Sequence, residues 1–376
     1  MKKLIALVCS FILVLSATVF PANSAVEDTP SVSAHSAVLI DLDSKSILFS
    51  KNHEEKMGMA STTKIMTALV AAENYDLKRA VRVAPEAVGI EGSSVYLYES
   101  EKLTMEELLY ALLLQSANDA AAAIAIAVAG STERFAEMMN ERARQMGLVN
   151  TSFTNPHGLS DDAHYTTAYD LAVITAHALA NETVREIVST YKKNIPIDSE
   201  CNPRTLVNHN KLLRLYDGAI GVKTGFTKAT GRCLVSAAER DGLTLICVTL
   251  NAPDDWRDHT SLLDFGYGNY ERRVVADAGG FEYEFPITGA DRESVTLYNE
   301  SPITLTLPKG EARVEYVVES TCRFLYAPVS RGQLCAKVTV SWNGQTSSSA
   351  MRVKHSVSKL ENKTGLFYRL KNIFKD

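Results

Sequence analysis

The chain has 376 residues, with 39 Lys plus Arg against 44 Asp plus Glu, a formal net charge of −5. That balance names no nucleic-acid partner. Its eight histidines are scattered, with no H-E-x-x-H or C-x-x-C spacing, so no metal site and no cofactor is expected.

In chain order, Lys2 and Lys3, an apolar run from Leu4 to about Val19 and the small residues Ala22-Asn23-Ser24 predict a secretory signal peptide over 1–25. The run is short for a membrane span, and no later segment is long and apolar enough to be one. The protein is therefore expected to be exported and to fold outside the cytoplasm. About 350 residues then remain, more than one domain usually holds.

A hairpin is predicted from Ser36 to Phe49 around Asp43-Ser44, and a helix over Thr62–Ala72, where Ile65, Met66, Leu69 and Val70 recur at helical spacing. Ser61 stands at the positive end of that helix, with Lys64 on the same face one turn above. Ser116 and Asn118 precede Ala120–Ala129, a run apolar on all sides and so a buried helix. Thr183–Thr190 reads as a further helix. Lys223 follows Ala219-Ile220-Gly221-Val222 and precedes a hairpin over Cys233–Leu250, turning at Asp241-Gly242.

That turn makes Arg240 face Leu243 and Ser236 face Cys247, which places Cys233 and Cys247 on opposite faces and disfavours a bridge between them. Of six cysteines, Cys9 falls in the leader, leaving Cys201, Cys233, Cys247, Cys322 and Cys335. An odd number leaves one unpaired unless the chain dimerises through it. Buried thiols packed as small hydrophobes are the favoured reading.

Near residue 270 the texture changes. Up to there, alanine- and leucine-rich helical runs alternate with strands, predicting an α+β domain over 26–270. Over 273–353, short alternating runs (Ser294–Leu297, Ile303–Leu307, Arg313–Val318, Cys335–Trp342) predict a small all-β domain, read as a spacer or docking module. In the tail, 354–376, Leu366, Phe367, Leu370, Ile373 and Phe374 fall on one helix face. From Met351 onward seven basic residues stand against Glu361 and Asp376, a balance of 7 − 2 = +5. Such a basic amphipathic helix predicts a membrane-surface anchor.

Three motifs carry chemistry: Ser61-Thr62-Thr63-Lys64, Ser116-Ala117-Asn118 and Lys223-Thr224-Gly225. A second set occurs in the same order, Ser189-Thr190-Tyr191-Lys192, Ser341-Trp342-Asn343 and Lys363-Thr364-Gly365. The carrying elements decide between them. Ser189 lies at a helix end, Ser341 runs into an Asn343-Gly344 turn, and Lys363 lies in the basic tail, so the second set is read as accidental.

With its context, the first set resembles the serine D-alanyl-D-alanine carboxypeptidases, the low-molecular-mass penicillin-binding proteins. The resemblance extends over about 36–340. It takes in Glu91-Gly92-Ser93-Ser94, Leu108 to Ala122, Asn155-Pro156-His157-Gly158-Leu159, Lys223-Thr224-Gly225-Phe226-Thr227, and Ala327-Pro328-Val329 with Gly332. Met59 stands where the family usually has proline, and Ser100 where glycine is usual. The resemblance implies a β-lactamase/penicillin-binding-protein-like catalytic domain that acts on peptidoglycan stem peptides, is covalently inhibited by β-lactams, and is attached to the outer face of the cytoplasmic membrane.

Roles can be assigned to each residue. Ser61 is the nucleophile, and no histidine has motif support beside it. Lys64 serves as base if burial and the positive charge of Lys223 lower its pKa. Ser116 passes a proton to the leaving amine or to Lys64, and Asn118 holds Lys64 and the substrate amide. By resemblance, the backbone N–H groups of Ser61 and Phe226 are the oxyanion donors. Lys223, Thr224, Gly225, Phe226 and Arg257 bind substrate, with Thr224 and Arg257 on its terminal carboxylate. Arg257 also has a surface reading, paired with the aspartates around it. His157 is read as structural. Two other functions are weighed. A class A β-lactamase needs a deacylating glutamate between the second and third motifs, and none is evident. A wall-binding scaffold without catalysis would not need the reacting groups present here.

Overall fold

The computed structural model describes residues 29–197, 203–311 and 313–360, and divides into two compact units, Ala25–Glu271 and one that includes Arg272–Asp376. The predicted signal peptide and the apolar face at 366–374 lie outside the described residues.

In the first unit, β1 (Ser36–Asp41) and β2 (Ile47–Lys51) form the first described hairpin, and a 3-10 turn over Ala60–Thr63 runs directly into α1 (Lys64–Asn74). The short pair β3 (Ala80–Arg82) and β4 (Lys102–Thr104) leads into α2 (Met105–Leu114). A capping box fixes the start of α2: the Thr104 hydroxyl accepts from the Glu107 N–H, and the Glu107 carboxylate accepts from the Thr104 N–H. Next comes α3 (Asn118–Ala129), alanine-rich and buried over its first eight residues, closed by Gly130 in the left-handed region at φ 84°. Then α4 (Thr132–Gln145), α5 (Ala168–Ala180) and α6 (Glu182–Ser189) begin on Ser131, Thr167 and Asn181. In each case the cap side chain accepts a first-turn N–H.

A hairpin of β5 (Lys192–Pro196) and β6 (Pro203–Val207) and the single turn α7 (Leu212–Leu215) precede three long strands, β7 (Ala219–Thr227), β8 (Gly231–Arg240) and β9 (Leu243–Leu250). The last described helix of this unit is α8 (Asp255–Asn269). The main sheet runs β2-β1-β9-β8-β7, antiparallel throughout, with β7 at an edge.

Both faces of this sheet are covered, which accounts for strands that read as nearly continuous apolar runs. Along β1, Val38 and Ile40 enter the core shared with α1 to α6, while Ala37 and Leu39 enter a second core with Leu262, Leu263 and Phe265 of α8. The β8–β9 turn is Asp241-Gly242, both with positive φ (49° and 76°), and pairs Arg240 with Leu243 and Ser236 with Cys247 as expected. Cys233 and Cys247 therefore fall in different cores. Burial pushes the Cys233 thiol up to about 11 and holds the Cys247 thiol well above its ordinary value. Burial does not extend to all the thiols: Cys322 is exposed and Cys335 half-buried. Cys201 lies outside the described residues.

The second unit is all-β among the described residues: β10 (Tyr270–Ala276), β11 (Glu282–Thr288), β12 (Ser294–Asn299), β13 (Ile303–Pro308), β14 (Glu315–Glu319), β15 (Leu325–Tyr326), β16 (Leu334–Trp342) and β17 (Gln345–Val353). Its larger sheet runs β14-β16-β17-β12-β11-β15, and β10 pairs with β13. Alternate residues such as Val338, Val340, Met351 and Val353 fill its own core. The Asn343-Gly344 turn joins β16 to β17, with both residues at positive φ.

Candidate active site

Two breaks in regular structure and one strand of the first unit carry the three motifs. Ser61 occupies the 3-10 turn, preceded by Ala60 at φ 47°, and Lys64 opens α1 fully buried. Ser116 sits in the gap between α2 and α3 at φ 61° and is 5% exposed, two residues before Asn118. Lys223 lies mid-strand on β7 and is 1% exposed.

The Lys64 amine makes the central contacts. It donates to Asn118 Oδ1 at 2.7 Å and to the His157 carbonyl at 2.5 Å, and its Nζ lies 3.1 Å from Ser61 Oγ. The Asn118 amide is oriented because its Nδ2 donates to the Glu91 carbonyl at 2.5 Å. Its backbone N–H donates to the Ser93 carbonyl at 2.7 Å. Gly92, at φ 95°, lets that loop approach: a Cβ there would stand 2.8 Å from Asn118 Nδ2.

On the opposite wall, β7 lies against the nucleophile turn. A Cβ at Gly225 would be 3.1 Å from the Ser61 nitrogen and 3.2 Å from the Met59 carbonyl, so only glycine fits without a shift. The Lys223 amine donates to the Thr224 carbonyl at 2.8 Å. Thr224 is half-buried, and the Phe226 side chain is 64% exposed.

The electrostatics are those of two buried lysines. Desolvation, then the nearby Lys223 charge, pushes Lys64 well below the ordinary lysine range, against a smaller opposing pull from Asp119. Burial lowers Lys223 to about 7. A neutral lysine has two N–H donors and one lone pair. Here the carbonyl oxygens of Asn118 and His157 take the two donors, leaving the lone pair for the Ser61 hydroxyl.

His157 contributes its main chain to this arrangement. Burial and the Lys64 charge lower its imidazole to about 4, and its Nδ1 accepts from the Leu159 N–H at 3.3 Å. Arg257 is not drawn into the network: it is exposed on the first turn of α8. The aspartates beside it are engaged elsewhere, Asp255 with Arg232 at 3.1 Å and Asp258 with the N–H groups of Ser33 and Ala34.

The competing motif set lacks the same setting in what is described of it. Ser189 is exposed and donates to the Glu186 carbonyl at 2.9 Å, Ser341 lies on β16 of the second unit, and Lys363 lies outside the described residues. Ser100, at a position where glycine is usual, adopts φ 67°, the region that favours glycine. The carbonyls of Glu91, Ser93 and His157 were not foreseen. Main-chain acceptors carry no residue-type signal.

The family model described as D-alanyl-D-alanine carboxypeptidase matches residues 23–254. The chain is 30% identical over 374 residues to D-alanyl-D-alanine carboxypeptidase DacF of Bacillus subtilis, covering 96% of this chain and 95% of that protein. It is 31% identical to D-alanyl-D-alanine carboxypeptidase DacA of Haemophilus influenzae, over 91% of this chain and 88% of the other. The solved structure of penicillin binding protein 5 from Haemophilus influenzae superposes with a TM-score of 0.73 at 29% identity, covering 88% of this chain and 99% of that one.

Proposed function

The chain belongs to the D-alanyl-D-alanine carboxypeptidase family, and from that premise we propose that it removes the terminal D-alanine from peptidoglycan pentapeptide stems through an acyl-enzyme on Ser61. The observation that carries this reading is the buried Lys64 amine, held by the carbonyl oxygens of Asn118 and His157 with its Nζ 3.1 Å from Ser61 Oγ.

Ser61 Oγ attacks the carbonyl of the penultimate D-alanine as its proton passes to Lys64. The tetrahedral oxyanion lies between the N–H groups of Ser61 and Phe226. Collapse breaks the C–N bond, and Ser116 relays the Lys64 proton to the leaving amine of D-alanine. Lys223, Thr224 and Gly225 line the place of the terminal carboxylate, and Arg257 meets it from the surface. Water then attacks the ester and regenerates Ser61.

Among the described residues, no carboxylate is a hydrogen-bond partner of Lys64. In 151–170, Asp161 and Asp162 are exposed and Asp170 accepts from Thr151 Oγ1 at 2.7 Å, while Glu182 is the first residue of α6. None of these hydrogen-bonds to Ser61 or Lys64 among the described residues, which supports an adduct that lasts. Intact-mass spectrometry over minutes should show the drug's mass retained on the protein. Rapid return to the free mass with steady drug consumption would instead identify a β-lactamase.

The location proposed is extracytoplasmic, on the outer face of the cytoplasmic membrane, held by Leu366 to Phe374. Among the described residues no helix is long and apolar enough to cross a membrane. Five apolar side chains contribute about 1.5 to 3 kcal/mol each at best. Ordering a short helix offsets much of that, so attraction of the basic residues to anionic lipids is needed. Full mature chain should co-sediment with anionic vesicles and release with salt, whereas Phe367→Asp/Phe374→Asp should stay in solution. Equal sedimentation of the two would remove the anchor.

A further inference from the structure

A second line of hydrogen bonds runs behind the nucleophile and takes no part in acyl transfer itself. His164, on the loop before α5, is 4% exposed. The Thr154 backbone N–H, which can only donate, points at its Nδ1 from 3.1 Å, so the ring proton is on Nε2. Nε2 stands 2.8 Å from Thr63 Oγ1, and that hydroxyl passes its own proton to the Ala60 carbonyl at 2.8 Å. Burial lowers the imidazole to about 4, with the Asp161 charge opposing and the Lys64 charge adding to the shift, so the ring is neutral at neutral pH.

The end of this line matters because of what shares a plane with it. The Ala60–Ser61 peptide is trans, so the Ala60 carbonyl and the Ser61 N–H point in opposite directions and turn together. Ala60 is a non-glycine residue at φ 47°, a conformation that needs outside support. Its carbonyl is boxed in by Gly158, where a Cβ would come within 1.9 Å of the oxygen. A hydrogen bond received by the carbonyl also polarises the N–H across the same peptide.

We propose that His164 is a positioning residue for the oxyanion site, aiming the Ser61 N–H through Thr63 and the Ala60 carbonyl. This rests on Ser61 being the nucleophile and its N–H an oxyanion donor.

The test is the acylation kinetics of the full mature chain with a fluorescent penicillin, resolved into the non-covalent binding constant and the acylation rate constant. Thr63→Val keeps the shape and removes the hydroxyl. It should lower the rate constant about ten- to a hundredfold, the scale of a misaimed catalytic group, with binding unchanged. His164→Leu should do the same, and the double variant should be no slower than His164→Leu alone, because one relay is cut twice. His164→Gln keeps an N–H donor near the position of Nε2 and should recover most of the rate. Every variant should still reach one label per chain on long incubation, which separates this inference from the identity of the nucleophile: if the wild type does not label at Ser61, the parent reading fails instead. Full-rate acylation in Thr63→Val, losses that multiply in the double variant, or a loss confined to binding would each overturn the relay. Should His164→Leu not fold, Thr63→Val and His164→Gln decide the matter by the same criteria.

Discussion

Replacing Ser61 by alanine should abolish both penicillin labelling and D-alanine release, a loss on the order of a millionfold in turnover, as seen when a serine nucleophile is removed from a unit that acts together. The fold should survive it. Ser61 is only partly buried, and the turn that holds it is built from the Thr62 and Thr63 hydroxyls, which donate to the carbonyls of Met59 and Ala60 at 2.6 and 2.8 Å. The measurement is gel labelling of the variant beside the wild type, with Ser189→Ala as a third lane. Labelling that survives in Ser61→Ala and disappears in Ser189→Ala would transfer the chemistry to the other motif set.

Lys64→Ala should slow acylation by several orders of magnitude, and Lys223→Ala should do likewise, for the same reason. The pH dependence separates their roles. Below its lowered pKa Lys64 carries a third N–H and no lone pair, so the rate should fall as pH falls through that value. Lys223 works in the opposite sense: it is charged below about 7 and neutral above, so its hold on a carboxylate weakens on the alkaline side. The expected kcat/KM profile for D-alanine release is therefore bell-shaped, its acid limb set by Lys64 and its alkaline limb by Lys223. A Lys64→Ala protein that acylates at near-normal rate would remove Lys64 as the base.

Much of this was legible in residue types and spacing. The Asp241-Gly242 turn alone fixed the β8–β9 register, because a two-residue turn leaves no freedom in the pairing, and the opposite placement of Cys233 and Cys247 came with it. The three-residue spacing of Ser61 and Lys64 is enough to make them neighbours, although the serine lies in a 3-10 turn ahead of α1. Two things were not legible. The carbonyls that hold Lys64 and Asn118 belong to loops whose path is set by distant contacts, such as Asp119 accepting from the N–H groups of Val95 and Leu97. The surface thiol of Cys322 was also missed, because cysteine's usual burial says nothing of a residue just past a strand end.

Lys64 is steered on one side by a side chain, Asn118, and on the other by a peptide oxygen, and the two differ in what inheritance can do to them. A base change at codon 118 alters the amide itself. At codon 157 almost any base change leaves the oxygen in the backbone untouched, so drift there is tolerated as long as the loop keeps its path. That path is guarded next door: Asn155 Oδ1 accepts from the N–H groups of His157 and Gly158, and any side chain at 158 would collide with the Ala60 carbonyl. Within this loop the vulnerable letters are therefore those for 155 and 158 and not those for 157, the residue whose oxygen holds the lysine.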